Sequence, residues 1–97
     1  MTIPPRVFID NKASSTHTVL EINGTDQPGL LHRLTWKIAQ QNLQISSAKI
    51  STYGASIVDV FYVKDLFGLK IQSDRRLNTI KVAMLDELNQ NSIINPS

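Results

Sequence analysis

The sequence predicts an α+β fold in which one antiparallel sheet carries two helices on a single face. Three observations predict it. Short stretches of period-2 hydrophobicity flank a helical pattern, two of them are separated only by Gly54 and Ala55, and a second helical pattern follows. With 97 residues, 41% hydrophobic and 19% charged, the chain has apolar material for one core but not for two.

The first strand is Arg6-Val7-Phe8-Ile9-Asp10, preceded by Pro4 and Pro5, and the polar run Asn11 to Thr16 supplies the turn after it. His17 to Gly24 is the next strand. There Thr18, Leu20 and Ile22 share one side and Val19, Glu21 and Asn23 the other. In the helix that follows, Asp26 is expected to cap, Pro28 to occupy the first turn and Asn42 to provide a left-handed exit, with Leu30, Leu31, Leu34, Ile38 and Ala39 as the apolar stripe.

Gln44 to Tyr53 and Ser56 to Lys64 then form a β-hairpin around Gly54 and Ala55. The second of these strands is apolar on both sides, with Val58, Val60 and Tyr62 against Ile57, Phe61 and Val63, so it is expected inside the sheet with both faces at least partly covered. Asp59 interrupts it and needs a partner, either a backbone group or Lys49 across the hairpin. After a loop from Leu66 to Gln72, Ser73 or Asp74 caps a last helix whose inner face carries Leu77, Ile80, Met84, Leu85 and Leu88. The polar stretch Asn89 to Ser97 is expected to fray, which divides the chain into an extended 1–5, a single domain over 6–88 and a tail over 89–97.

The order is one strand followed by βαββα, the split βαβ arrangement of ferredoxin-like domains. Nothing after Leu88 offers the usual fourth strand. The strand Arg6 to Asp10 can replace it on the same sheet edge, antiparallel to its neighbour.

Composition restricts the function. Ten Lys plus Arg against eight Asp plus Glu are scattered, with Arg75 and Arg76 the one adjacent basic pair, which points to neither a nucleic acid nor a membrane surface. The absence of cysteine excludes disulfides and thiolate metal sites. The apolar run from Ile57 to Val63 is too short to span a bilayer, and Met1 to Pro5 lacks the basic start and apolar core of a signal peptide, so the cytoplasm is the expected location. His17 and His32 have no neighbouring His-Asp pair with which to hold a metal.

The most informative stretch is Asp26-Gln27-Pro28-Gly29-Leu30-Leu31, where a strand ends in a tight loop that opens a helix. Such a junction presents backbone N–H groups to which a small anion or zwitterion can dock. The same residues also make sense with no ligand, because Asp caps, Pro starts and Gly permits the turn.

Together with Leu43-Gln44-Ile45-Ser46-Ser47-Ala48, this loop resembles the signature of ACT domains, small regulatory modules that bind amino acids. The segments Val7 to Ser14, Thr16 to Val19, Thr52-Tyr53-Gly54 and Val58 to Gly68 are more specifically similar to the C-terminal ACT domain of bifunctional uridylyltransferase/uridylyl-removing enzymes, which modify the PII nitrogen-signalling protein. The resemblance implies a non-catalytic regulatory segment of a larger enzyme, without a cofactor of its own; the parent enzyme would use a divalent metal. It implies an amino acid ligand, glutamine before others, and a second ACT domain as partner, either as a homodimer or as a tandem copy. PII would be the substrate of the parent enzyme.

The ligand-binding positions carried over are Asp26, Gln27, Gly29 and Leu30 from the loop, and Gln44 and Ile45 from the start of the following strand, contributed across a dimer. Gln44 departs from the asparagine common in the family and would shift a ligand by a methylene. Two other readings stay open: an architectural ACT–ACT pairing module without ligand, and an RNA-binding βαββαβ module. The second has no aromatic on Thr18 to Asn23, and its adjacent Phe61 and Tyr62 fall on opposite faces.

Overall fold

The computed structural model describes residues 4–94. Its elements are β1 (Arg6–Asp10), β2 (Thr18–Thr25), α1 (Leu30–Gln40), β3 (Leu43–Tyr53), β4 (Ser56–Asp65) and α2 (Asp74–Ile94). The four strands lie in the order β1-β2-β4-β3, with every neighbouring pair antiparallel. This is the expected ferredoxin-like α+β arrangement. β1 occupies the edge where a fourth strand usually lies, with Val7 opposite Ile22 and Ile9 opposite Leu20.

The alternation in the strands decides which face is buried. Val7, Leu20, Ile22, Ile57, Phe61 and Val63 meet Leu30, Leu34 and Ile38 of α1 and Ile80, Met84 and Leu88 of α2 in one core. Each such side chain contributes about 1.5–3 kcal/mol when fully buried. Leu31, expected in the α1 stripe, is 44% exposed, and Ala39 is exposed as well. Both lie on the flank of the helix beyond the arc from Leu30 to Ile38, where the sheet no longer reaches them.

β4 lies inside the sheet as its composition requires, but only one of its faces is covered by another layer. Val58, Val60 and Tyr62 stay half-buried on the open face, shielded by neighbouring side chains alone. Phe61 is in the core, whereas Tyr62 meets the His17 ring edge-on at 6.4 Å, so the two aromatics do separate onto opposite faces.

A polar lock fastens the loop before α2 to the turn before β2. The buried Thr18 hydroxyl donates to Asn11 Oδ1 at 2.6 Å and accepts from the Ile71 amide at 3.0 Å, while Asn11 Nδ2 donates to the Ile71 carbonyl at 2.6 Å. Lys70 Nζ donates to the carbonyls of Asn11 and Ser14. The lock seats Ile71 in the core at 2% exposure, inside a segment whose sequence reads only as loop.

Ser73 caps α2 by accepting the Arg76 amide at 3.2 Å. The helix then continues past Leu88 to Ile94 instead of fraying from Asn89. Residues 89–94 contain neither Gly nor Pro to stop it. The remainder of the expected tail, and the N-terminal 1–3, lie outside the described residues.

Thr18→Val keeps the shape of the buried side chain but leaves the Ile71 amide and Asn11 without their shared partner. The expected loss is about 1–3 kcal/mol, read from the urea midpoint, and an unchanged midpoint would show that the lock contributes nothing.

Candidate functional site

The junction between β2 and α1 is a type II turn. The Leu30 amide donates to the Gln27 carbonyl at 3.1 Å, Pro28 takes the second position, and Gly29 takes the third with φ 74 and ψ 6. A non-glycine residue would be strained in that left-handed position. Gly29 therefore stands at the cap of α1, and no side chain caps it. This corrects the expected role of Asp26, which lies upstream of the turn and is left exposed, with its amide tied to the Ala55 carbonyl at 2.8 Å. Pro28 serves the turn and not the first helical turn, because the left-handed glycine after it delays the helix to Leu30.

The turn leaves donors available. At a helix N-terminus without a capping side chain, the amides of Leu31 and His32 lie in the first turn, where no intrahelical acceptor exists for them. Arg33, which sequence reasoning missed, braces the turn from inside. Its Nη2 donates to Gln27 Oε1 at 2.8 Å, its Nη1 to the Pro28 carbonyl at 3.3 Å, and its Nε lies 3.2 Å from Glu87 Oε1 on α2. Gln27 is thus positioned by Arg33.

Asp59 adds a second carboxylate beneath the same corner. It is 2% exposed, and its Oδ1 accepts the Ser51 amide at 3.2 Å. Lys49 is not its partner, because Lys49 pairs with Val60 and so lies on the opposite face, while Ile50 stands opposite Asp59. Burial pushes the Asp59 carboxyl above its ordinary value; the Ser51 N–H opposes the shift and the nearby Asp26 charge adds to it.

The other predicted residues lie elsewhere. Gln44 and Ile45 begin β3, whereas the Gln27–Gly29 turn sits beside the Gly54–Ala55 hairpin at the far end of that strand, about 30 Å away at about 3.3 Å per residue. One chain cannot bring the two segments together. Gln44 lies opposite Lys64 and donates from Nε2 to the Asp65 carbonyl at 2.8 Å; Ile45 lies opposite Val63 and packs against the core.

β3 is an edge strand, and most of it is exposed on both sides. The helix layer leaves Ile50 45% exposed beside the exposed Ala48, and Leu31 on α1 is exposed too. The edge itself reads Ser46-Ser47-Ala48, small enough for another backbone to approach.

Arg76, one of the adjacent basic pair, donates from Nη2 to the carbonyls of Gln41 and Asn42, both at 3.2 Å. It thereby offsets the negative C-terminal end of α1. Asn42 takes the left-handed exit at φ 62, as its sequence context implies. Trp36 is 61% exposed, and His32 and Arg75 are exposed. Among the described residues, no three of His, Asp and Glu gather as a metal site, and no helix is long and apolar enough to cross a membrane.

A four-stranded antiparallel sheet with two helices on one face, and a Pro-Gly turn at the first core strand-helix junction, defines the class as an ACT domain. The profile described as the ACR family N-terminal ACT domain matches residues 13–91, and the chain belongs to the ACT-domain family. It is 58% identical over 86 residues to the bifunctional uridylyltransferase/uridylyl-removing enzyme of Azospirillum brasilense, covering 89% of this chain and 9% of that protein. It is 50% identical over 95 residues to the enzyme of the same description from Gluconobacter oxydans, covering 98% of this chain and 10% of that protein. The chain therefore spans about a tenth of the length of these relatives. A crystal structure of an unknown protein from Galdieria sulphuraria shares the fold, with a TM-score of 0.57 and 18% identity over 72% of this chain and 37% of that one.

The raised Asp59 carboxyl gives a signed expectation. Its folded-state value lies above the ordinary 3.8, so the folded form holds the extra proton and stability declines as pH rises through that raised value. Asp59→Asn keeps an acceptor for Ser51 and removes the charge. The variant is expected to exceed the parent in urea stability at pH 7, with the advantage vanishing below pH 3.8. A difference independent of pH would contradict the assignment.

Proposed function

We propose that this ACT domain senses an amino acid, glutamine before others, at a seam between two copies, as a regulatory segment of a PII uridylyltransferase/uridylyl-removing enzyme. The observation that carries the reading is the Gln27–Leu30 turn. It leaves the Leu31 and His32 amides open at the positive end of α1, next to the exposed Asp26 carboxylate. A ligand carboxylate fits the amides and the helix dipole, and its ammonium group fits Asp26. This pairing of opposite charges selects a zwitterion over a simple anion.

The separation of the predicted residues supports the seam. If two β3 edges pair antiparallel about a two-fold axis, the Gln44 end of one strand lies beside the partner's Tyr53 end, and hence beside its Gln27–Gly29 turn. Ile50, Ala48 and Leu31 then become covered along the same line. Relatives of this chain are named for uridylyl transfer and removal. In the proposed whole protein, ligand occupancy biases those activities through the position of the ACT domains; catalysis belongs to other segments.

Isothermal titration with glutamine, combined with sedimentation analysis, tests the proposal. The double variant Asp26→Ala/Gln44→Ala is expected to lose about two to four orders of magnitude in affinity while keeping its assembly, the scale of losing two charge-assisted hydrogen bonds worth about 1.5–3 kcal/mol each. A dimeric chain that takes up no glutamine at millimolar concentration would favour the purely architectural reading.

A further inference from the structure

We propose that Phe67 forms a wall of the ligand site of a second copy of this chain, packing against that copy's Gln27–Gly29 turn. The inference rests on the two-fold seam proposed above and adds to it a side chain from outside both segments of the family signature.

The β4–α2 loop is apolar, exposed and stiff at once. Leu66 is 61% exposed, Phe67 89% and Leu69 62%. A floppy loop could fold such side chains back onto the protein, but this one is pinned. Asp65 Oδ1 accepts the amides of Phe67 and Leu69, both at 2.9 Å, and the Asp65 carbonyl accepts the Gly68 amide at 3.0 Å. The Asp65 amide donates to the Leu69 carbonyl at 2.8 Å, closing the loop, and Gly68 supplies the left-handed turn at φ 81. The Asn11–Thr18–Ile71 lock fixes its far side. Phe67 is held outward by hydrogen bonds and serves no purpose in its own chain's core.

Position identifies the occupant. Gln44 donates to the Asp65 carbonyl, so the loop travels with the start of β3. In an antiparallel pairing of β3 edges, that end faces the partner's Tyr53–Ser56 hairpin, to which the partner's turn is tied through the Asp26–Ala55 hydrogen bond. The charges agree with this docking. Lys64, Lys70 and Arg76 border the loop end and the exposed Asp26 lies at the turn end, so head-to-tail apposition sets basic groups against a carboxylate. Beside Phe67, a depression of about 440 Å³ is lined by Gln41, Asn42, Asp65, Leu66 and Arg76. It can receive the partner's Tyr53, which is 65% exposed at the matching end of its strand.

The test compares Phe67→Ser and Phe67→Leu with the parent chain by urea unfolding, sedimentation equilibrium and glutamine titration. Because Phe67 touches little of its own chain, the serine variant is expected to keep the parent's unfolding behaviour at dilute monomer. It is expected to bind glutamine at least tenfold more weakly, with weaker self-association, and leucine should recover most of both. A serine variant that dimerises and binds glutamine like the parent would overturn the role of Phe67 while leaving the seam intact. A parent chain that stays monomeric at high concentration would overturn the seam and this inference together.

Discussion

The Pro28-Gly29 turn is the constraint on which the rest of this structure depends. Proline sets the second turn position and glycine supplies the left-handed third, so the helix cannot begin before Leu30. That delay has two consequences. Leu30, Leu34 and Ile38 come into phase with the covered face of the sheet, and the leading amides of α1 emerge at a sheet corner with no side chain to cap them. The Arg33 guanidinium holds the corner open by gripping Gln27 and Pro28 from behind.

The second constraint is an imbalance between layers. Two helices cover the β1, β2 and β4 side well, but β3 remains an edge with both faces largely solvated. A strand of eleven residues, fringed by Ser and Ala, with the exposed Tyr53 at one end and the exposed Phe67 of the neighbouring loop near the other, is poorly explained as a finished surface. A second copy placed along that edge resolves it, and also reunites signature residues that a single chain holds at opposite ends of β3. In the proposed dimer, folding economy and ligand recognition share one interface.

Much of the fold was legible in the sequence because it is local. Alternation in β2 and β4, the Gly54-Ala55 hairpin, the Asn42 exit and the replacement of the fourth strand by β1 all follow from short-range patterns. What escaped depends on partners far apart in the chain. Ile71 is one apolar residue in a polar loop, and only the contacts of Thr18 and Asn11, more than fifty residues away, bring it into the core. The roles of Asp26 and Pro28 escaped for another reason: proline has the same φ in a first helical turn and in a type II turn, so the residue type does not separate them. Within the site, the loop could be located from sequence, but its distance from Gln44 depends on how β3 is laid down.

Subunit mixing tests the central claim most directly. Chains carrying Asp26→Ala and chains carrying Gln44→Ala are each impaired at both seams of their own dimer. In a mixed dimer, one seam collects both substitutions and the other is left native. Glutamine titration of the equilibrated mixture should therefore recover native-affinity sites, in one of the two seams of every mixed dimer. A mixture that binds no better than its two parents, despite confirmed subunit exchange, would contradict a site shared between copies.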